Sequence, residues 1–126
     1  MGSATSGART VLIADDSNLI QLGVRRLLKG EPGIDVVGSA VSFENTLQLA
    51  ARLRPQIILL DLHMSDSAAF EPEVVKATLL NSVGRIIAMS AWEDEVTRDL
   101  ALSYGATTLV NKATMIHTLI PALLES

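Results

Sequence analysis

The pattern of apolar and polar residues is clearest at Ile57–Leu60, where four aliphatic residues stand in a row before Asp61. A run without polar alternation is typical of a parallel strand that helices cover on both faces. Open parallel sheets bind ligands outside the carboxyl ends of their strands, so Asp61 is a candidate functional residue. The alternative interpretation is that Asp61 only caps the next helix or starts a turn.

Four further runs predict strands of the same sheet. These strands are expected over Arg9–Ala14, Ile34–Ser39, Arg85–Met89 and Thr107–Val110. The second run is more polar than the others, as suits a strand at the edge of a sheet. The five strands begin near residues 11, 35, 57, 86 and 108, and the 22 to 29 residues between successive starts are enough for a strand and a crossover helix.

Helix signals lie between these runs. Ser17 and Ser42 are expected to cap the first two helices, and Pro72 stands in a first helical turn, where proline is tolerated. The acids at 93–95 favour the start of a fourth helix, and Pro121 is expected to kink or split the last one. The apolar positions predicted to face the core are Ile20, Val24, Leu27 and Leu28; Phe43, Leu47, Ala50, Ala51 and Leu53; Val74, Val75, Leu79 and Leu80; and Met115, Ile116, Leu119, Ile120, Leu123 and Leu124.

These units together predict an α/β fold. Five strand and helix pairs with right-handed crossovers give a doubly wound, five-stranded parallel sheet with helices on both faces, of the flavodoxin-like type. In that fold a crevice opens above the first and third strands, where the strand order reverses. Asp15, Asp16 and Asp61 follow those two strands and are expected to line the crevice.

The length and composition suit a single domain. The chain has 126 residues and 13.4 kDa, and 48% of its residues are hydrophobic. Residues 1–8 are mostly small and are predicted to be a disordered lead-in or tag remnant, which leaves residues 9–126 for the domain. No apolar run is long enough for a membrane span and no signal-peptide pattern is present, so a cytoplasmic protein is expected.

Cysteine content and charge exclude several kinds of site. The absence of cysteine excludes disulfides, thiolate metal sites and cysteine catalysis. A net charge of -4 and a pI near 5.0 argue against direct binding of nucleic acid, because the phosphate backbone must be met by clustered lysine and arginine. A role on DNA is therefore expected to need another domain, absent from this chain.

The three acids predict a divalent metal site. Asp15, Asp16 and Asp61 cannot all stay ionised at close range without a cation, because like charges raise one another's proton affinity. Mg²⁺ suits a set of oxygen ligands better than Zn²⁺ does, since the nearest nitrogen ligand, His63, stands alone.

Two further residues point to phosphoryl chemistry. Ser90 and Lys112 follow the fourth and fifth strands, and a hydroxyl and a cation facing Asp61 are what a phosphoryl group on that carboxylate would need. The chemistry implied is an aspartyl phosphate. Taken singly, Ser90 is more often a helix cap and Lys112 a solvated surface charge.

Residues 10–124 resemble the receiver domains of two-component response regulators. The matching motifs are Asp15–Asp16 after strand one, Asp61 after strand three, Ser90–Ala91 after strand four, and Gly105–Ala106 leading to Lys112 after strand five. The resemblance implies that Asp61 accepts a phosphoryl group from a sensor histidine kinase or a histidine phosphotransfer protein. It also implies a phosphoacceptor rather than an enzyme, with at most self-catalysed phosphorylation and dephosphorylation.

The same resemblance implies the role of each site residue. Mg²⁺ would be held by Asp16, Asp61 and the backbone carbonyl of His63, with Asp15 helping through water. Ser90 and Lys112 would sense the phosphoryl group.

The sequence departs from the usual receiver pattern at three positions. Ser65 stands where proline is frequent, and Leu109 stands where a switch aromatic is common, so the signal is expected to pass through helix packing instead. Ala113 stands after Lys112, as in receivers fused to LuxR-type DNA-binding domains, and this similarity implies a role in transcription regulation.

The resemblance places the output face, and a possible homodimer contact, on the fourth helix, fifth strand and last helix.

Two side chains are expected to set the lifetime of the phosphoryl group. In receivers, the side chains two positions after the acceptor and two after the hydroxyl flank the attacking water, and here these are His63 and Trp92. Neither orients water as a carboxylate or an amide does, and the indole is large, so slow decay is predicted. The alternative is that Trp92 points away and packs on its own helix.

Other functions of the fold fit the sequence less well. A haloacid-dehalogenase-type phosphatase also forms an aspartyl phosphate but needs a second aspartate where His63 stands. A flavodoxin-like cofactor module predicts a phosphate-cradling loop after strand one, and the acids there repel phosphate unless a metal is bound. A receiver-like interaction module with little or no phosphorylation remains an alternative.

Overall fold

The computed structural model describes residues 7–125, and over them strands and helices alternate five times. The strands are β1 (Arg9–Ala14), β2 (Ile34–Ala40), β3 (Ile57–Asp61), β4 (Arg85–Ser90) and β5 (Ala106–Asn111). The helices are α1 (Asn18–Leu28), α2 (Phe43–Leu53), α3 (Pro72–Leu80), α4 (Glu95–Ser103) and α5 (Met115–Leu124), and a short 3-10 helix (Ser67–Ala69) precedes α3.

The five strands form one parallel sheet in the order β2-β1-β3-β4-β5. This order confirms the predicted doubly wound fold of the receiver type and the predicted edge position of β2. Every residue of the central strand β3 is buried, as its unbroken apolar run predicts. Because the strands are parallel, their carboxyl ends meet at one edge of the sheet, and the loops that follow them share that edge.

Helices cover both faces of the sheet. On one face, alternate residues of β1 and β3 such as Leu12 and Ile58 pack with Phe43, Val75 and other residues of α2, α3 and α4. On the opposite face, the intervening residues pack with α1 and α5, through Val24, Leu28, Leu119 and Leu123. The alternation of side chains along each strand therefore supplies two separate cores.

The helices begin where capping residues predict. The hydroxyls of Ser17 and Ser42 accept backbone hydrogen bonds at the starts of α1 and α2, and Pro72 is in the first turn of α3. At α4 the cap is Asp94, whose carboxylate accepts a hydrogen bond from the amide of Thr97. Only Glu95 of the predicted acidic stretch lies within the first turn of that helix.

The predicted apolar stripes are too wide, because each helix buries only the arc that faces the sheet. In α3, Val75 and Leu79 are one turn apart and buried, whereas the flanking Val74 and Leu80 are exposed. The same correction applies to Ala51 in α2 and to Ile116 and Leu124 in α5.

Pro121 does not split the last helix, which runs without interruption from Met115 to Leu124. Pro121 lies on the exposed side of α5, and the residue that loses its hydrogen bond, His117, is exposed as well. The carbonyl left without an amide partner is therefore on the side of the helix that water reaches.

Arginine side chains tie down the carboxyl end of α5. Arg9, at the start of β1, donates to the carbonyl of Leu123 at 3.1 Å. Arg85, at the start of β4, donates to the carbonyls of Ala122 and Glu125. These bonds satisfy carbonyls that the end of a helix leaves unpaired. At the other end, the side chain of Thr114 makes no capping hydrogen bond.

Most of the predicted lead-in over residues 1–8 lies outside the described residues. Gly7 is an exposed turn residue, and β1 begins at Arg9. Among the residues that the structure describes, no helix is long and apolar enough to cross a bilayer.

Candidate functional site

Three carboxylates meet at the carboxyl edge of the sheet. The parallel register places Ala14 of β1 beside Leu60 of β3, so the residues that follow them, Asp15 and Asp61, emerge next to each other. Both are buried, with 0% and 3% of their surface exposed, whereas Asp16 is exposed. One carboxylate oxygen of each acid lies within 4.8 Å of the other two. The structure thus brings the predicted acid cluster together.

Lys112 lies against the two buried acids. Its Nζ is 2.7 Å from Asp15 Oδ2 and 3.2 Å from Asp61 Oδ1, and its side chain is 18% exposed. The backbone amide of Lys112 donates to the carbonyl of Ser90 at 2.8 Å, which ties the end of β5 to the end of β4. The lysine is therefore a partly buried counter-ion rather than a solvated surface charge.

The charges of the cluster shift the pKa values of its members. Burial raises the pKa of Asp61, the charge of Asp15 raises it further, and Lys112 and the amide of His63 oppose both effects without cancelling them. Burial alone would lower the pKa of Lys112, but its hydrogen bond to Asp15 and the charges of Asp61 and Asp15 outweigh burial and raise that pKa. With Lys112 charged and the three acids ionised, the cluster carries two uncompensated negative charges.

The oxygens left free suit a small divalent cation. Asp15 uses both oxygens, since Oδ1 accepts the amide of Ser17 at 2.8 Å and Oδ2 pairs with Lys112. Within residues 7–125, no hydrogen bond or ion pair engages Asp16 Oδ1 or Asp61 Oδ2. Ligand oxygens on opposite sides of an octahedral Mg²⁺ are about 4 Å apart, which is comparable with the spacing of the cluster.

Ser90 is fully buried at the end of β4. Its hydroxyl accepts a hydrogen bond from the amide of Trp92 at 3.1 Å, so the side chain stabilises the turn after the strand. Ser90 does not cap α4, because Asp94 takes that role. Over residues 7–125 the hydroxyl donates no hydrogen bond, so its hydrogen remains available for an acceptor at the same edge of the sheet.

The side chains of His63 and Trp92 contact each other in the loops that follow β3 and β4. Their ring centroids are 5.4 Å apart and the rings are perpendicular, an edge-to-face arrangement. The amide of His63 also donates to Asp61 Oδ1 at 3.2 Å. Trp92 lies in the loop before α4 rather than on a helix, is 58% exposed, and its ring contacts that of His63.

Leu109 lies away from this cluster, within β5 and beside Ala88 of β4. It is half-buried and packs against the core on the side of α4. It also lines a cavity of about 350 Å³ between α4 and β5, together with Arg98 and Leu102.

Gln21 supports the site, although the residue pattern alone does not predict this role. This side chain is buried in α1, and its Nε2 lies 2.9 to 3.1 Å from the carbonyl oxygens of Ile13, Asp15 and Ala40. It therefore holds the end of β1, which carries the acid pair, against α1 and β2. The available signal was a polar residue at helical spacing from Val24 and Leu28, within the buried stripe.

The loop after Asp61 makes two contacts that side-chain patterns do not predict. The amide of Ser65 donates to Asp16 Oδ2 at 2.8 Å. The carboxylate of Asp66 accepts hydrogen bonds from the first two amides of α2, those of Phe43 and Glu44. The loop is thereby attached both to the acid cluster and to a neighbouring helix.

Comparison with known proteins places this site in a family. The family model described as the response regulator receiver domain matches residues 11–124. The nitrate/nitrite response regulator protein NarL of Escherichia coli (strain K12) is 36% identical over 97 residues, which are 77% of this chain and 44% of that protein. A protein-glutamate methylesterase/protein-glutamine glutaminase of Anaeromyxobacter dehalogenans is 30% identical over 102 residues, which are 81% of this chain and 29% of that protein.

A solved structure of a receiver domain has the same fold as this chain. The signal receiver domain of the response regulator NarL from Mycobacterium tuberculosis superposes with a TM-score of 0.80 at 26% identity, covering 93% of this chain and 94% of that one. This chain spans less than half the length of the two curated relatives named above. An acid triad such as Asp15, Asp16 and Asp61 is typical of the Mg²⁺ site of receivers. The family match over nearly the whole described chain, with the acidic pocket and Lys112 in place, shows that this chain belongs to the response regulator receiver domains, the phosphoacceptor modules of two-component signalling.

Proposed function

We propose that Asp61 is the residue that accepts the phosphoryl group. The observation that carries this proposal is its position: it ends the buried central strand, with Lys112 on one carboxylate oxygen and the other oxygen without a partner among the described residues. An Asp61 oxygen attacks the phosphorus atom of a phosphohistidine, and the new P–O bond forms as the P–N bond breaks. The departing imidazole nitrogen keeps the electron pair and takes a proton from water.

The surrounding residues have complementary roles in this proposal. Asp16, Asp61 and the backbone carbonyl of His63 would hold Mg²⁺, and Asp15 would contribute through water because both of its oxygens are engaged. Bound Mg²⁺ supplies positive charge for the oxygens of the phosphoryl group. Lys112 and the hydroxyl of Ser90 neutralise and bind that group from the ends of β5 and β4.

The direct test is phosphorylation of the purified chain with a small donor. Incubation with acetyl phosphate and Mg²⁺ is expected to add one phosphoryl group, read by intact mass spectrometry. No addition under these conditions would contradict the proposal and would favour a receiver-like interaction module.

We further propose a cytoplasmic histidine kinase, or a histidine phosphotransfer protein, as the phosphoryl donor and transcription as the output. A receiver takes its phosphoryl group from such donors, and NarL, a named response regulator, is among the relatives that show the family. The overall charge of -4 does not suit DNA binding by this domain, so contact with DNA would belong to a separate domain. The methylesterase relative shows that similar receivers also occur in proteins with other activities.

The output surface is proposed to include α4, β5 and α5, with Leu109 at the cavity between α4 and β5. A leucine cannot swing a ring inward, so we expect phosphorylation to change helix packing there and to shift a monomer–dimer equilibrium. Light scattering should detect a larger mean mass after treatment with acetyl phosphate, and a smaller shift for Leu109→Tyr, whose ring would occupy part of that cavity. An unchanged mass in the phosphorylated wild type would exclude a dimer switch.

The contact between His63 and Trp92 is proposed to slow hydrolysis of the phosphoryl group. Water must approach the phosphorus in line with the departing Asp61 oxygen, and the two perpendicular rings belong to the residues two positions after Asp61 and Ser90. Trp92→Glu is expected to speed decay several-fold under saturating Mg²⁺, because a carboxylate can orient the water that the indole obstructs. The half-life is measured by the loss of the phosphorylated mass over time.

Trp92→Phe is the matched control, since it keeps an aromatic ring for the contact with His63. Its half-life should stay close to that of the wild type. A Trp92→Glu half-life equal to or longer than that of the wild type would show that the indole does not shield the site.

A further inference from the structure

The amide of Ser65 is the one group among the described residues that fixes the carboxylate of Asp16. It donates to Asp16 Oδ2 at 2.8 Å. Asp16 is exposed, and an exposed carboxylate without a partner would sample several rotamers. With one oxygen bound to Ser65, the carboxylate is held within the acid cluster and its second oxygen remains free for a metal ion.

We propose that the main-chain amide of Ser65 is a positioning group for the Mg²⁺ site, an inference that rests on the proposed metal role of Asp16. Hydrogen bonds to the groups that ligate a metal orient them and commonly change metal affinity by tenfold or more. The Ser65 side chain makes no hydrogen bond among the described residues, so the proposed role belongs to the backbone. Any residue except proline at this position would preserve it, so this chain has the contact because it departs from the proline that is frequent in receivers.

The neighbouring residue holds Ser65 in place. Asp66 Oδ1 accepts the amide of Phe43 at 2.9 Å, and Oδ2 accepts the amide of Glu44 at 3.2 Å. Phe43 is fully buried, so the start of α2 is a fixed point. A carboxylate with one bond from each oxygen to a helix start gains from charge-assisted hydrogen bonds and from the helix dipole. Asp66 therefore anchors the loop, and the loop presents the Ser65 amide to Asp16.

This arrangement predicts that Mg²⁺ affinity depends on residues that do not touch the metal. Ser65→Pro removes the amide and is expected to weaken Mg²⁺ binding about tenfold, whereas Ser65→Ala keeps the amide and should stay within about twofold of the wild type. Affinity is measured from amide chemical shifts in two-dimensional NMR spectra recorded with increasing Mg²⁺. The dispersion of the same spectra shows that each variant is folded.

A second pair of variants tests the anchor. Asp66→Ala and Ser42→Ala each remove a cap from the start of α2, but only Asp66 also belongs to the loop of Ser65. Asp66→Ala is therefore expected to weaken Mg²⁺ binding at least threefold, and Ser42→Ala to leave it unchanged. A general loss of helix stability would affect both variants alike.

Three results would overturn the inference: wild-type affinity in Ser65→Pro, equal losses in Ser65→Ala and Ser65→Pro, or equal affinities in Asp66→Ala and Ser42→Ala. Each of these would leave phosphorylation of Asp61 standing, because that is measured separately by mass. A wild type that binds no Mg²⁺ would overturn the metal assignment together with this inference.

Discussion

Asp61→Asn is expected to take up no phosphoryl group from acetyl phosphate and Mg²⁺ under conditions in which the wild type takes up one. An amide oxygen is a far weaker nucleophile than a carboxylate oxygen, and no other acid ends the central strand opposite Lys112. Asp15 is a poor substitute because both of its oxygens are engaged, by Ser17 and by Lys112. Intact mass spectrometry measures the loss, and uptake at the wild-type level would refute the assignment.

The fold of this variant can be checked by thermal unfolding without Mg²⁺. Burial, and then the charge of Asp15, raise the pKa of Asp61 in the folded protein, so the folded state favours the protonated acid. Asp61 therefore contributes stability that is lost as the pH rises from its ordinary pKa of 3.8 through the raised pKa, and a neutral asparagine shows no such loss. The melting temperature of Asp61→Asn should exceed that of the wild type by a few degrees at neutral pH, and the difference should narrow as the pH falls towards 3.8.

Asp16→Asn is expected to weaken Mg²⁺ binding by tenfold or more, and Asp15→Asn by clearly less. Asp16 has an oxygen free for the metal, whereas Asp15 is buried and committed to Ser17 and Lys112. Removing Asp15 also lowers the negative charge of the cluster, so some loss is expected from electrostatics alone. Titrations of both variants with Mg²⁺ by NMR measure the two affinities.

Asp35→Asn serves as the control for net charge, because Asp35 lies near the start of β2, at the opposite edge of the sheet from the acids. Its Mg²⁺ affinity should equal that of the wild type. Equal losses in Asp16→Asn and Asp15→Asn would refute the assignment of one acid as a direct ligand and the other as a water-mediated one.

The fold could be predicted from the sequence because its signals are local. The apolar run of β3 and the serine caps of α1 and α2 act over a few residues, and the predicted strands agree with the observed ones to within a residue or two. The width of the buried stripes could not be predicted in this way. The exposure of Val74 and Ile116 depends on how α3 and α5 sit on the sheet, which is a property of packing.

The site was predictable as far as strand topology determines it. The acids and Lys112 follow strands whose carboxyl ends meet, so the parallel sheet alone brings them together. The amide of Ser65 and the cap supplied by Asp66 depend on the path of a loop, and a backbone donor has no signature in the sequence. The contact between the rings of His63 and Trp92 also depends on the paths of two loops, so it could not be predicted from the sequence.

The two ends of α5 differ in how firmly they are held. Three carbonyls at its carboxyl end accept bonds from Arg9 and Arg85, while its amino end follows Lys112 closely and has no side-chain cap. A helix of ten residues is about 15 Å long, so the anchored and uncapped ends lie at opposite edges of the sheet. The carboxyl end of α5 is therefore the more firmly held of the two. A small displacement of Lys112 towards a phosphoryl group would be expected to tilt α5 about its arginine-bound end instead of sliding it along the sheet.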